Sequence, residues 1–133
     1  MKIKAFVQFG IFLLLLWVVG GCADRMPYGF NGTVSRYPDS KIVNSMHLEG
    51  GCYAELETND SWKKVLDYYK HDMRKKGWSV KVERKFASFN SDGPETTAFL
   101  ALFKDNTGLM IDTHTSVTGG KTQIALFMGD TDE

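Results

Sequence analysis

The sequence predicts an α+β fold: two layers, with one amphipathic helix packed on an antiparallel sheet of about six strands, in the order β-β-α-β-β-β-β. Three observations carry that expectation. Trp62, Val65, Leu66, Tyr69 and Met73 recur at the spacing of one helical face. Around them lie runs of period two, separated by turns that contain Gly, Asn or Asp. A lone helix must also bury its apolar stripe against another element, and a sheet supplies that surface.

Taken in order, Ile42, Met46 and Leu48 fall on one face of an extended segment, with Val43, Ser45, His47 and Glu49 on the other. Gly50-Gly51 then supplies a two-residue turn. Cys52, Ala54 and Leu56 point inward and Tyr53, Glu55 and Glu57 outward, so 41–57 reads as a hairpin. Thr58-Asn59-Asp60-Ser61 offers several helix-capping side chains. Arg74, Lys75 and Lys76 complement the carbonyl end of the helix, and Gly77 is its left-handed stop.

Trp78, Val80 and Val82 alternate into a strand ending near Phe86, and Asn90 to Pro94 reads as a loop. Thr97 to Lys104 is apolar on both faces, which predicts a central strand. Asp105 to Gly108 and Gly119-Gly120 are turns, flanking strands at Leu109 to Thr115 and Gln123 to Met128. The folded domain is expected over 38–130, with an acidic tail at 131–133.

The N-terminus has a different character. Lys2 and Lys4 precede an uncharged run, Ile11 to Val19, that ends in Gly20-Gly21. The run is shorter than the roughly 20 residues that cross a bilayer, which points to a removable export signal over 1–21. An uncleaved anchor is the alternative. Val19-Gly20-Gly21-Cys22 resembles a bacterial lipobox, in which the chain is cut after the small residue, here Gly21, and the next cysteine takes a diacylglycerol. Gly20 departs from the commoner Ala, Ser or Thr, and an ordinary secretory signal with a chance cysteine is the competing explanation. The resemblance implies lipidation and palmitate on Cys22 and anchoring in the cell envelope. Ala23, where Asp would mark inner-membrane retention, implies the outer membrane facing the periplasm. Residues 22–37 show neither period and are expected to form a flexible tether from the acylated cysteine, reaching about 20 Å.

The chain has 16 basic and 16 acidic residues, and without Lys2 and Lys4 there remain 14 basic residues. Such a balance offers no long-range attraction for nucleic acid. Of the two cysteines, an acylated Cys22 leaves Cys52 without a disulfide partner, and the alternation with Ala54 and Leu56 turns it inward.

Tyr37-Pro38, Glu57 to Ser61, Val65, Tyr68-Tyr69-Lys70 and Gly77-Trp78 together resemble a loose group of small exported bacterial domains with a Thr-x-Asp-Ser, Val-x-x-x-Tyr, Gly-Trp pattern. That resemblance covers about 37–130 and implies a fold but no chemistry. A weaker analogy is to helix-on-sheet lipoproteins serving outer-membrane assembly machines, at the level of fold alone.

Chemistry is sparse. Asp112 and His114 share a strand face, and with His47 and His71 distant in sequence they suggest exposed polar residues rather than a metal site. There is no Gly-x-Ser-x-Gly elbow and no phosphate-cradling loop, so no catalytic residue and no cofactor is expected. Lys63, Lys70 and Arg74 share one stripe of the helix and are the candidate contact surface, for an envelope protein or anionic lipid. Tyr53 and Tyr68 are candidate exposed aromatics. The expected function is a non-catalytic binding or scaffold module held at the membrane by its lipid. The alternatives are a small-ligand carrier with a pocket between helix and sheet, and a hydrolase-type enzyme.

Overall fold

The computed structural model describes residues 26–30, 32–90, 93–116 and 119–131, with the side chains of 88–90 outside the description. The export signal 1–21, the lipidation position Cys22 and residues 132 and 133 of the acidic tail lie outside the described residues.

The described residues form an α+β fold, with six antiparallel strands in one sheet and one α-helix among them. The strands are β1 (Lys41–Leu48), β2 (Gly51–Thr58), β3 (Ser79–Asn90), β4 (Gly93–Lys104), β5 (Thr107–Ser116) and β6 (Thr122–Asp130), and the helix α1 (Trp62–Lys75) lies between β2 and β3. Their spatial order is β1-β2-β6-β5-β4-β3. The chain lays down one hairpin, crosses by way of α1 to the far edge, and returns strand by strand until β6 closes against β2. Several boundaries move outward from expectation. The ladder between β3 and β4 continues to the pair Asn90 and Gly93, so most of the expected loop is strand. The first turn is Glu49-Gly50, because Leu48 pairs with Gly51 and Gly50 holds the positive φ of 78°.

α1 forms where its caps and stripe require. The Ser61 hydroxyl accepts from Lys64 N at 3.3 Å. At the other end Trp78 N donates to Met73 O and Gly77 N to Arg74 O, with Gly77 at φ 89°, a conformation that favours glycine. Val65, Leu66, Tyr69 and Met73 are buried among Leu100, Leu102, Ile111 and Leu126 of the sheet. Trp62 is only partly buried, and the Lys85 ammonium lies 5.0 Å from its ring centroid.

A 14-residue helix is about 21 Å long and roughly 10 Å across, whereas six strands spaced about 4.8 Å apart span about 24 Å. α1 lies over β3, β4 and β5. The β1-β2-β6 side of this inner face therefore needs another cover, and residues 26–30 and 32–40 provide it. The described part of the expected tether, 26–30 and 32–37, is thus corrected: it is packed, not free. A single 3₁₀ turn at Tyr28–Phe30 lies against β2. Phe30, Val34 and Tyr37 are buried in the core. Tyr69 Oη donates to Ser35 O at 2.9 Å, Tyr37 Oη to Asp60 Oδ2 at 2.6 Å, and Lys76 Nζ to Thr33 O at 3.0 Å.

Both edge strands carry a bulge, at Val43 in β1 and at Lys81 in β3. One extra residue reverses which side chains face inward. After the bulge in β1, Ser45 and His47 pair with Ala54 and Cys52 on the inner face, and Met46 pairs with Tyr53 on the outer. The expected grouping of Met46 with Ile42 is overturned for this reason. After the bulge in β3, Val82 and Phe86 turn outward while Glu83 and Lys85 turn toward the helix.

Candidate functional site: the open face of the sheet

Directly paired residues in an antiparallel ladder share a face, so the register fixes what the outer face presents. From β1 toward β3 its apolar members include Met46, Tyr53, Phe127 with Ala125, Met110, Ala101 with Phe99 and Phe103, and Phe86 with Val82. No described element covers this face. Met110 is 49% exposed, Phe86 47%, Phe127 43% and Phe103 36%. Large apolar side chains gathered on one exposed surface mark a contact site more often than scattered ones do. The doubly apolar pattern of β4, read as that of a central strand, belongs to the next strand in from the β3 edge; its outward residues form this face.

A groove of about 530 Å³ opens at one end of the face, between Phe103, Met110 and Phe127. Glycine makes it possible. Gly51, Gly129 and Gly108 are successive partners across β2, β6 and β5, and Phe103 follows in β4. A Cβ on Gly108 would meet Thr131 Cγ2 at 3.0 Å and the Phe103 ring at 3.3 Å, and one on Gly129 would meet Gly50 O at 3.0 Å. Aromatic rings thus lie beside a floor without side chains. Glu49 and Asp130 line the rim.

The opposite end of the same face is polar. His114 Nδ1 lies 2.7 Å from Glu95 Oε1 and 3.2 Å from Thr97 Oγ1, and its Nε2 lies 3.1 Å from Asp112 Oδ2. The face shared by Asp112 and His114 was legible in the sequence; Glu95 and Thr97 join it through the β4–β5 register. Each ring nitrogen lies within hydrogen-bonding distance of a carboxylate, and Nδ1 is also within reach of the Thr97 hydroxyl. Among the described residues no three His, Cys, Asp or Glu side chains are arranged to hold a metal ion. Nearby, Lys121 and Gln123 donate to the Glu57 carboxylate, and these bonds hold it below the usual carboxylate range. Tyr53 Oη donates to Glu55 Oε1 at 2.5 Å; burial and then this bond push the phenol up to about 12.

The helix stripe is changed by its neighbours. Lys63 and Arg74 are exposed, but Lys70 is half-buried, with Glu83 Oε1 at 2.9 Å and Asp67 Oδ1 at 3.4 Å. The bond to Glu83 raises the Lys70 pKa. The three residues therefore do not form a uniform cationic stripe, because the β3 bulge delivers Glu83 to the middle one. Tyr53 and Tyr68 are half-buried rather than exposed, and Tyr68 packs edge-on against both Tyr37 and Tyr69. Cys52 is buried, and burial raises its thiol pKa. Compared with protein-family models and with curated proteins, the chain finds no match in either.

Proposed function

We propose that this chain is a lipoprotein of the cell envelope, acylated on Cys22 and sorted to the outer membrane, whose domain acts as a non-catalytic binding module. The support for the contact role is the uncovered apolar face of the sheet. Exposing such side chains to water is unfavourable by about 25 cal/mol per Å², and contact with another surface relieves that cost. The face takes over the contact role first given to Lys63, Lys70 and Arg74, since Lys70 is already paired within the domain.

The carrier reading, with a pocket between helix and sheet, has less support. Val65, Leu66, Tyr69 and Met73 fill the space beneath the helix, and the groove lies on the other side of the sheet. An enzyme reading has less support among the described residues: Cys52 is buried with a raised pKa, and both nitrogens of His114 lie within hydrogen-bonding distance of carboxylates. Two measurements test the proposal. A metabolic fatty-acid label should enter the wild type and not Cys22→Ser. A photo-crosslinking residue at Phe103 or Phe127 should give adducts in the intact envelope. Adducts from Arg74 and none from Phe103 or Phe127 would refute the contact role of the face.

A further inference from the structure

The apolar groove lies at the end of the sheet where the chain enters the domain. Gly29 sits so close to Cys52 that a Cβ on it would come within 2.8 Å of the Cys52 side chain. A second hollow, lined in part by Gly29 and Cys52, shares Gly50, Gly129 and Asp130 with the groove. Groove and chain entry are two sides of one sheet end, held together by Asp130 N donating to Gly50 O at 3.3 Å. Tyr28, next to Gly29, is 88% exposed.

The packing of 26–30 and 32–37 shortens the distance to any anchor. Seven residue steps separate Cys22 from Gly29, which sits at this sheet end against Cys52, and at full extension they reach no more than about 25 Å. An anchor on Cys22 therefore holds this end of the domain near the membrane, and with it Phe103, Met110 and Phe127.

We infer that the groove end of the open face is the surface this domain lays on the lipid bilayer, with Phe103, Met110 and Phe127 in contact with lipid hydrocarbon and Tyr28 at headgroup level. The inference rests on the lipid anchor at Cys22 proposed above, and it names the partner of the open face. Tyrosine suits that depth because its ring is apolar and its hydroxyl is wet. The lining contains Glu49 and Asp130 and no Lys or Arg. The contact is therefore driven by apolar burial and gains nothing from anionic headgroups, unlike a basic helix face.

The test uses the full lipidated chain in phosphatidylethanolamine–phosphatidylcholine vesicles. A fluorescent thiol probe is placed by Met110→Cys, by Phe127→Cys as a second groove variant, or by Arg74→Cys on the far side; Cys52 is shielded by burial. Lipids with a nitroxide on the acyl chain should quench most emission at 110 and 127 and leave 74 bright. Added phosphatidylglycerol should not change this. If the chain carries no lipid label and washes off the vesicles, the anchor and this bilayer seat both fall. If it stays lipid-labelled and bound while 110 and 127 remain bright, the seat alone is overturned. Quenching that needs anionic lipid, or that appears at 74, overturns it as well. A blue shift at 110 without quenching assigns the groove to a protein surface and has the same result.

Discussion

The Tyr69 hydroxyl donates to the carbonyl oxygen of Ser35 at 2.9 Å, joining the fully buried side of the helix to a segment that shows no period of its own. The domain therefore begins well before Pro38, and the stretch from Met26 onward is part of the core that holds the sheet. If so, Phe30→Ala should cost about 3–5 kcal/mol, the range for truncating a buried aromatic. Denaturant unfolding reads the loss directly, and an unchanged midpoint would show that this segment contributes nothing.

Trp62 and Tyr69 lie on one stripe but differ in burial. Tyr69 is fully buried and Trp62 sits at the start of the helix with Lys85 above its ring. Tyr69→Ala should destabilise by about 3–5 kcal/mol, and Trp62→Ala by less, since its ring is only partly buried in the native state. Thermal melts of the two variants check the order, and a larger loss at Trp62 would contradict it.

Cys52 should resist alkylation in the native protein and react fully once unfolded. Its burial both blocks access and disfavours the thiolate. Labelling followed by intact-mass measurement, with and without denaturant, distinguishes the two states. Rapid native labelling would contradict the packing of Gly29 over the sulfur.

Stability should fall at alkaline pH. The pKa values of Tyr37, Tyr53, Tyr68 and Tyr69 are all raised, chiefly by burial, and Lys70 is raised by its bond to Glu83. The unfolded chain then releases protons at lower pH than the folded one. Their stabilising contribution is complete below the unfolded values near 10 and is lost as pH rises through the folded values. Denaturant midpoints should hold from neutral pH to about 8, decline first through the buried Cys52 thiol, and fall more steeply above about 10. Tyr69→Phe should flatten part of that decline, and a midpoint that is flat to higher pH would contradict the sign.

Lys70→Glu should destabilise the domain, because it places a third carboxylate beside Asp67 and Glu83. Lys63→Glu and Arg74→Glu should change stability by less than about 0.5 kcal/mol, as exposed substitutions usually do. Comparing unfolding curves for the three variants separates a paired lysine from two solvated ones.

What was legible in the sequence depended on regularity. The stripe Val65, Leu66, Tyr69, Met73 repeats at helical spacing because the helix meets the sheet along one line, and Cys52, Ala54 and Leu56 alternate because β2 is unbroken. Val43 and Lys81 broke the pattern, since one inserted residue reverses the parity of everything after it. Phe30 and Val34 gave no signal because an irregular cover buries residues without a period. Phe103, Met110 and Phe127 were hidden for another reason. An outward aromatic in an alternating strand reads as a core residue until the register shows which side lacks a cover.

The two bulges also bear on how copies of this domain meet each other. Each falls on an outermost strand, where a regular backbone would offer a ready template for a further strand from another copy. The local kink at Val43 and the charged run Lys81, Glu83, Arg84 and Lys85 along β3 spoil that template at both margins. A domain that leaves the apolar end of one face uncovered therefore resists growing sideways into a fibre, and the stickiness of that end is separated from the risk of polymerising through the edge.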